Sequence, residues 1–109
     1  MSESTAREIV LSLPERFKKD KAGDFRAIVH LILEGDGGGE FTVTINQGDC
    51  QVIEELTGTP DCVIRTKAST YADTELGRAN PTMAVMMGKI KVSNIGVATQ
   101  FIPLFERLA

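Results

Sequence analysis

The chain has 109 residues, 42% of them apolar and 25% charged, with a formal net charge of −3. This length predicts one domain over residues 1–109, with a core that needs neither disulfides nor a structural metal. Mild acidity and scattered Lys and Arg give no electrostatic reason to bind nucleic acid, and no apolar run approaches the ~20 residues of a membrane span. The tightest basic cluster, Arg16-Phe17-Lys18-Lys19, is offset by Glu15 and Asp20 and reads as a solvated helix face. The polar start, Met1 to Arg7, has the character of neither a signal nor a transit peptide, so a cytoplasmic protein is expected. Cys50 and Cys62 form no CxxC pair. A bond between neighbouring strands stays open, and two reduced, buried thiols are the expectation without a secretory signal.

In chain order, Met1 to Thr5 is expected to fray. Ala6 to Leu13 places Ile9, Val10 and Leu13 on one side of a short helix, and Pro14 can restart a helix at its first position. Phe17 then points inward, and Lys21-Ala22-Gly23-Asp24 stops the helix. Phe25 to Glu34 is a strand with apolar residues on both faces, which predicts a central strand covered on both sides. After the loop Gly35 to Gly39, Phe41 to Asn46 alternates. Phe41, Val43 and Ile45 lie on one face and Thr42 and Thr44 on the other, as in a half-buried strand. Gln47-Gly48-Asp49 is a hairpin turn, Cys50 to Glu55 a third strand, and Asp61 to Lys67 a fourth.

Beyond this point helices are predicted. Ser69 or Thr70 can cap one through Ala79, Thr70 with Asp73 fitting a capping box and Gly77 weakening it. Asn80-Pro81 opens a short apolar helix with Met83, Ala84, Val85, Met86 and Met87, and Gly88 ends it. Lys89 to Val92 is a short strand. A terminal helix then carries Val97, Phe101, Leu104, Phe105 and Leu108 as one stripe. The predicted architecture is α+β, a mostly antiparallel sheet with helices on one face.

Few residues offer chemistry. Gly35-Asp36-Gly37-Gly38-Gly39 leads into a strand and lacks the Gly-Lys-Ser/Thr of a phosphate loop, so its glycines are read as hairpin-loop residues. His30, the only histidine, lies mid-strand between Ile28 and Ile32 on its face. It has no second ligand for a metal and is read as structural. The carboxylate pairs Glu54-Glu55 and Asp73 with Glu75 are read as solvated, and Ser69 as a cap rather than a nucleophile. No catalytic group, metal site or cofactor is expected. The methionines of the Asn80 helix have two readings. They are core, or they are an adaptable wall for an apolar ligand, since unbranched thioethers repack around varied shapes. The terminal helix likewise docks on the sheet or acts as a lid.

Three local pieces, in this order, resemble the sterol carrier protein 2 lipid-binding domain. They are the glycine-rich hairpin Glu34 to Val43, the strand start Pro60-Asp61-Cys62-Val63-Ile64, and Asn80-Pro81…Ala84…Gly88-Lys89-Ile90-Lys91-Val92 followed by an apolar helix. Phe41 stands where the family often has tryptophan, and Ser93-Asn94-Ile95-Gly96 departs from its Gly-Asp-rich link. The resemblance implies a non-enzymatic domain with a five-stranded sheet, helices on one face, and an apolar tunnel between the layers. Such a domain takes fatty acid, fatty acyl-CoA, sterol or phospholipid. The implied ligand-binding residues are Phe41, Val43, Ile45, Met83, Val85, Met86, Phe101, Leu104 and Phe105. Arg65, Lys67, Lys89 and Lys91 are candidates for a lipid head group. The expected partners are an apolar lipid, a membrane in transient contact, and an enzyme of lipid metabolism. In the alternative role the chain presents an apolar substrate, such as an isoprenoid quinone precursor, to that enzyme.

Overall fold

The computed structural model describes residues 5–106. Thr5 opens α1 (Ala6–Leu11) by a capping box. Its hydroxyl accepts from the Glu8 N–H at 3.2 Å, and the Glu8 carboxylate takes the Thr5 N–H at 3.0 Å. Thr5, expected to fray, is therefore a cap, and the rest of that expectation concerns residues 1–4, outside those described. Ser12 separates α1 from α2 (Leu13–Arg16), where Pro14 sits in the first turn as anticipated, and α3 (Lys19–Ala22) follows.

The sheet has five strands, β1 (Ala27–Glu34), β2 (Gly39–Asn46), β3 (Asp49–Ile53), β4 (Cys62–Lys67) and β5 (Ile90–Val92), in the spatial order β3-β2-β1-β4-β5. Three pairings are antiparallel, and β1 with β4 is parallel. The β1–β2 loop needs its glycines. Gly35 and Gly37 adopt φ of +94° and +78°, and a Cβ on Gly38 would lie 2.2 Å from the Leu33 carbonyl oxygen. The β2–β3 turn places Gln47 and Gly48 at φ of 51° and 78°, the signature of a two-residue hairpin.

A parallel β1–β4 pair requires a crossover, and residues 54–61 supply it across the sheet face away from the helices. The Thr42 hydroxyl donates to the Glu55 carbonyl at 2.6 Å and accepts from the Thr57 N–H at 2.9 Å. His30 Nε2 meets the Thr57 carbonyl at 2.9 Å, and the Asp61 carboxylate accepts from the Ile28 N–H at 2.8 Å. The polar side chains His30 and Thr42 are buried here because the crossover satisfies them. So β1 is central as expected, but its second face is covered only where the crossover passes. Ile28 and Ile32 stay half-buried, and Glu34 is exposed.

The other face carries the helices and the core. Ala27, Val29, Leu31 and Leu33 of β1 and Phe41, Val43 and Ile45 of β2 are buried there with Ile9, Val10 and Leu13. α4 is Ala68–Glu75. It runs straight out of β4, with Lys67 at its N-cap and no side-chain cap bond. The expected Ser69 or Thr70 cap is therefore wrong, and so is the expected end at Ala79. Gly77, at φ of +79°, follows the helix rather than weakening it. α5 (Pro81–Met86) is capped by the Asn80 side chain, whose Oδ1 accepts from the Thr82 and Met83 N–H groups at 2.8 and 3.2 Å. α6 (Ile95–Phe101) is capped by Asn94, then tightens into a 3₁₀ turn, Ile102–Leu104. The predicted continuous stripe fails at Pro103, which lacks an N–H for a longer α-helix. Phe105 is extended, and Leu108 and Arg107 lie outside the described residues.

Cys50 lies on edge strand β3 and Cys62 on β4, with two strands between, so both are free thiols. Burial pushes the Cys50 thiol up to about 12.

Candidate functional site

Between the sheet and the helices lies an open cleft of about 780 Å³. Its floor is Leu31, Ile64, Ile90 and Val92 from three adjacent strands, all on the helix-facing side. Tyr71 and Thr74 of α4 form one wall. Thr82 and Val85 of α5 form a second, and Phe101, Ile102 and Pro103 a third. The gap exists because the covering elements are short. α4 stops at Glu75, the segment 76–80 is non-helical, and Pro103 ends α6 early.

One end of the cleft is held by the chain's two extremities. Phe105 pairs with Phe17 as an antiparallel bridge. The Lys18 N–H donates to the Leu104 carbonyl at 2.6 Å, and the Glu106 N–H to the Arg16 carbonyl at 2.8 Å. Ring centroids lie 5.6 Å apart for Phe17–Phe105 and 5.1 Å for Phe101–Phe105, tilted and edge-on respectively. Arg16 stands behind this end. Its guanidinium donates to Glu75 at 2.9 Å, to the Ser12 hydroxyl at 3.0 Å, and to the Glu106 and Ile9 carbonyls at 2.8 and 3.2 Å. Its side chain is only 10% exposed, which overturns the solvated reading for Arg16, while Lys19 of the same cluster stays exposed, and Glu75 is no free surface acid either. The two residues are 59 positions apart, so no local pattern reveals the pair. Tyr71 is buried beside them. Burial first, and the Glu75 charge second, raise its hydroxyl well above the ordinary tyrosine range, so it stays neutral.

The nine candidate ligand residues separate into three groups. Val85, Phe101 and Phe105 line the cleft. Phe41, Val43, Ile45 and Leu104 are buried in the core and do not reach the cleft surface. Met83 and Met86 are 52% and 76% exposed and do not line it, so the core reading of these methionines is wrong. The floor residues Leu31, Ile64, Ile90 and Val92 went unselected. Their signal was available, since each alternates with a polar or outward-facing neighbour on its strand.

The head-group candidates are not at the cleft. Arg65 and Lys91 are cross-strand partners whose positions alternate with the floor residues Ile64, Ile90 and Val92. With Lys67, Lys89, Gly88, Ser69, Thr70 and Glu34 they line a separate depression of about 480 Å³. The cations at the cleft rim are instead Lys18, Lys21 and Arg78. Among the described residues no group of His, Cys, Asp and Glu could hold a metal ion, and no helix is long and apolar enough to cross a membrane.

Comparison with known proteins places this geometry. The solution structure of the sterol carrier protein domain 2 of Helicoverpa armigera is similar, with 24% identity and a TM-score of 0.66 over 95% of this chain and 88% of that one. The UbiJ-SCP2 ubiquinone synthesis protein matches with 17% identity and a TM-score of 0.60 over 80% and 69% of the two chains. A stereoselective inverting sec-alkylsulfatase from Pseudomonas sp. matches at 17% identity and a TM-score of 0.75 over 89% of this chain, which spans only 16% of the sulfatase. A search of curated proteins found no match. The profile of the SCP-2 sterol transfer family matches residues 10–106, and the chain belongs to that family.

Proposed function

We propose that the cleft binds the apolar chain of a lipid without transforming it, and that the occupied cleft is the tunnel expected from the sequence. The observation that carries this reading is the cleft itself. Its floor is aliphatic, and its volume falls within the ~300–1,000 Å³ common for small-molecule sites. Of the ionisable groups on its walls, Glu75 is held by Arg16 and the Tyr71 hydroxyl is kept neutral by burial, so neither offers a free acid or base to the floor. Each methylene moved from water into such a site gains about 0.8 kcal/mol. A long acyl chain thus gains roughly 10 kcal/mol, and ordering costs reduce this to micromolar or sub-micromolar affinity. Selectivity among chains is shallow, because a misfit methylene changes binding by only about 1–3 kcal/mol. Lys18 and Lys21 at the rim suit a carboxylate or phosphate head group.

A second reading is favoured by the likeness to the UbiJ-SCP2 ubiquinone synthesis protein and by the short span of the sulfatase that this chain matches. In it the chain presents an apolar substrate to a separate enzyme. Both readings use the same cleft, and both suit a protein at work in the cytoplasm.

Native mass spectrometry of freshly purified protein, with lipid identification after denaturation, tests the proposal. A retained fatty acid, phospholipid or quinone is expected, and thermal stability should rise with added lipid, by about 2.7 kcal/mol at a hundredfold excess over Kd. A bare mass together with no stabilisation by any added lipid would overturn both readings. Co-purification with a lipid-metabolising enzyme would select the second.

A further inference from the structure

The depression of about 480 Å³ beside β4 and β5 stands apart from the cleft, since Arg65 and Lys91 alternate along their strands with the cleft-floor residues. Arg65, Lys67, Lys89 and Lys91 line it together with a single carboxylate, Glu34, which Arg65 meets at 3.4 Å. Lys67, Lys89 and Lys91 form no ion pair among the described residues. Three of these cations also stand where they cost stability. Arg65 and Lys91 are direct cross-strand partners, and like charges so placed repel. Lys67 is the N-cap residue of α4, whose first turn holds no acid, and a cation is unfavourable at the positive end of a helix dipole. The backbone beneath is nevertheless fixed. The buried Thr66 hydroxyl donates to the Lys89 carbonyl at 2.8 Å, and the Lys89 N–H to the Ala84 carbonyl at 2.9 Å. In a chain of net charge −3, cations are thus held together against their mutual repulsion, and a bound anion would relieve it.

We propose that this depression is a second binding site, for the diphosphate or triphosphate group of a small soluble molecule. Four cations less one carboxylate leave an excess of positive charge that a polyphosphate offsets and a single carboxylate does not. Lysine ammonium groups meet phosphate as point charges, and the Arg65 guanidinium can present two parallel N–H groups. The Ser69 and Thr70 hydroxyls add neutral donors on the α4 side. No aromatic ring or long aliphatic side chain lines the depression, so nothing there stacks a nucleobase or holds an acyl chain, and the phosphates themselves are what is recognised. The site does not depend on the lipid-binding reading of the cleft.

The test is isothermal titration calorimetry of the full chain with inorganic pyrophosphate and with tripolyphosphate, at ionic strength held constant by sodium chloride. Saturable binding at one site per chain is expected, weakening as salt rises. The variant Lys89→Gln with Lys91→Gln should bind pyrophosphate at least about tenfold more weakly, since charge-assisted contacts are lost. Without ligand the same variant should melt no lower than the unaltered chain, because it sheds repulsion. Saturating pyrophosphate should raise the melting temperature of the unaltered chain and not of the variant. No saturable binding, undiminished binding by the variant, or a lower melting temperature of the ligand-free variant would overturn the proposal. Binding to vesicles containing phosphatidylglycerol, with none to free pyrophosphate, would assign the lysines to lipid head groups and also overturn it. Displacement of a bound fluorescent fatty acid by pyrophosphate would place the anion at the cleft rim, with the same consequence. Pyrophosphate binding without any fatty-acid binding would overturn the carrier reading alone and leave this site standing.

Discussion

Every strand of the sheet presents apolar residues to the helix-facing side, yet the two halves of that side end differently. Over β2 and the first half of β1, Val29, Phe41, Val43 and Ile45 are at most 1% exposed, sealed with Ile9 and Val10. Over β4 and β5, Ile64, Ile90 and Val92 floor an open cleft. The residue types are alike. The difference lies in the cover. α2 packs on β3, whereas the β4–β5 half is spanned by the broken run α4, 76–80, α5 and a Pro103-shortened α6. An apolar sheet face becomes a core or a binding surface according to what lies over it, and a large bare one marks a place for a partner or ligand.

The largest effect should come from the sealed half. Phe41→Ala leaves a cavity and should cost about 3–5 kcal/mol in urea unfolding, while Val85→Ala on the cleft wall should cost about 1 kcal/mol or less. Equal losses would mean that the cleft is as tightly packed as the core. Next comes the face away from the helices. Thr42→Val deprives the crossover of two hydrogen bonds and should cost about 1–3 kcal/mol by the same measurement. A neutral result would show the crossover to be held by its ends alone.

The Cys50 thiol offers a pH probe of the sealed half. Held at about 12 against an ordinary 9.0, it stays neutral in the folded chain while the unfolded chain ionises first. Its contribution to stability is thus complete below about pH 9 and is lost as pH climbs toward 12. Folded Cys50 should react with iodoacetamide at pH 9 at least about tenfold more slowly than in urea, by peptide mapping. Equal rates would show that the thiol is not shielded. The smallest effect is Met86→Ser, which should shift stability by no more than about 0.5 kcal/mol. A larger loss would mean that this methionine packs after all.

Much of the fold was legible because local signals agreed. The alternation of Phe41, Val43 and Ile45, the Gln47-Gly48 turn, the Asn80 cap and the ending at Gly88 each reappear in the structure. The Thr5-x-x-Glu8 capping box was legible too and was overlooked, as was the stop imposed by Pro103. The parallel β1–β4 pairing was not legible, since it depends on a crossover whose anchors, His30 and Thr42, look from their own strands like ordinary buried or solvent-facing positions. Nor was the Arg16–Glu75 pair, which joins distant helices. At the site, Val85, Phe101 and Phe105 were recoverable from pattern and resemblance. The exposure of Met83 and Met86 was not, because a six-residue helix shows its faces only once β5 and the core are in place.

The central claim is that the unsealed half holds an apolar ligand, and titration of a fluorescent long-chain fatty acid into the purified chain and into Val85→Asp tests it most directly. The account predicts saturable binding in the micromolar range or tighter. It also predicts a loss of at least about tenfold in a Val85→Asp variant that remains folded by circular dichroism, since a charge would face the aliphatic floor. No binding to the unaltered chain, or undiminished binding to folded Val85→Asp, would contradict it.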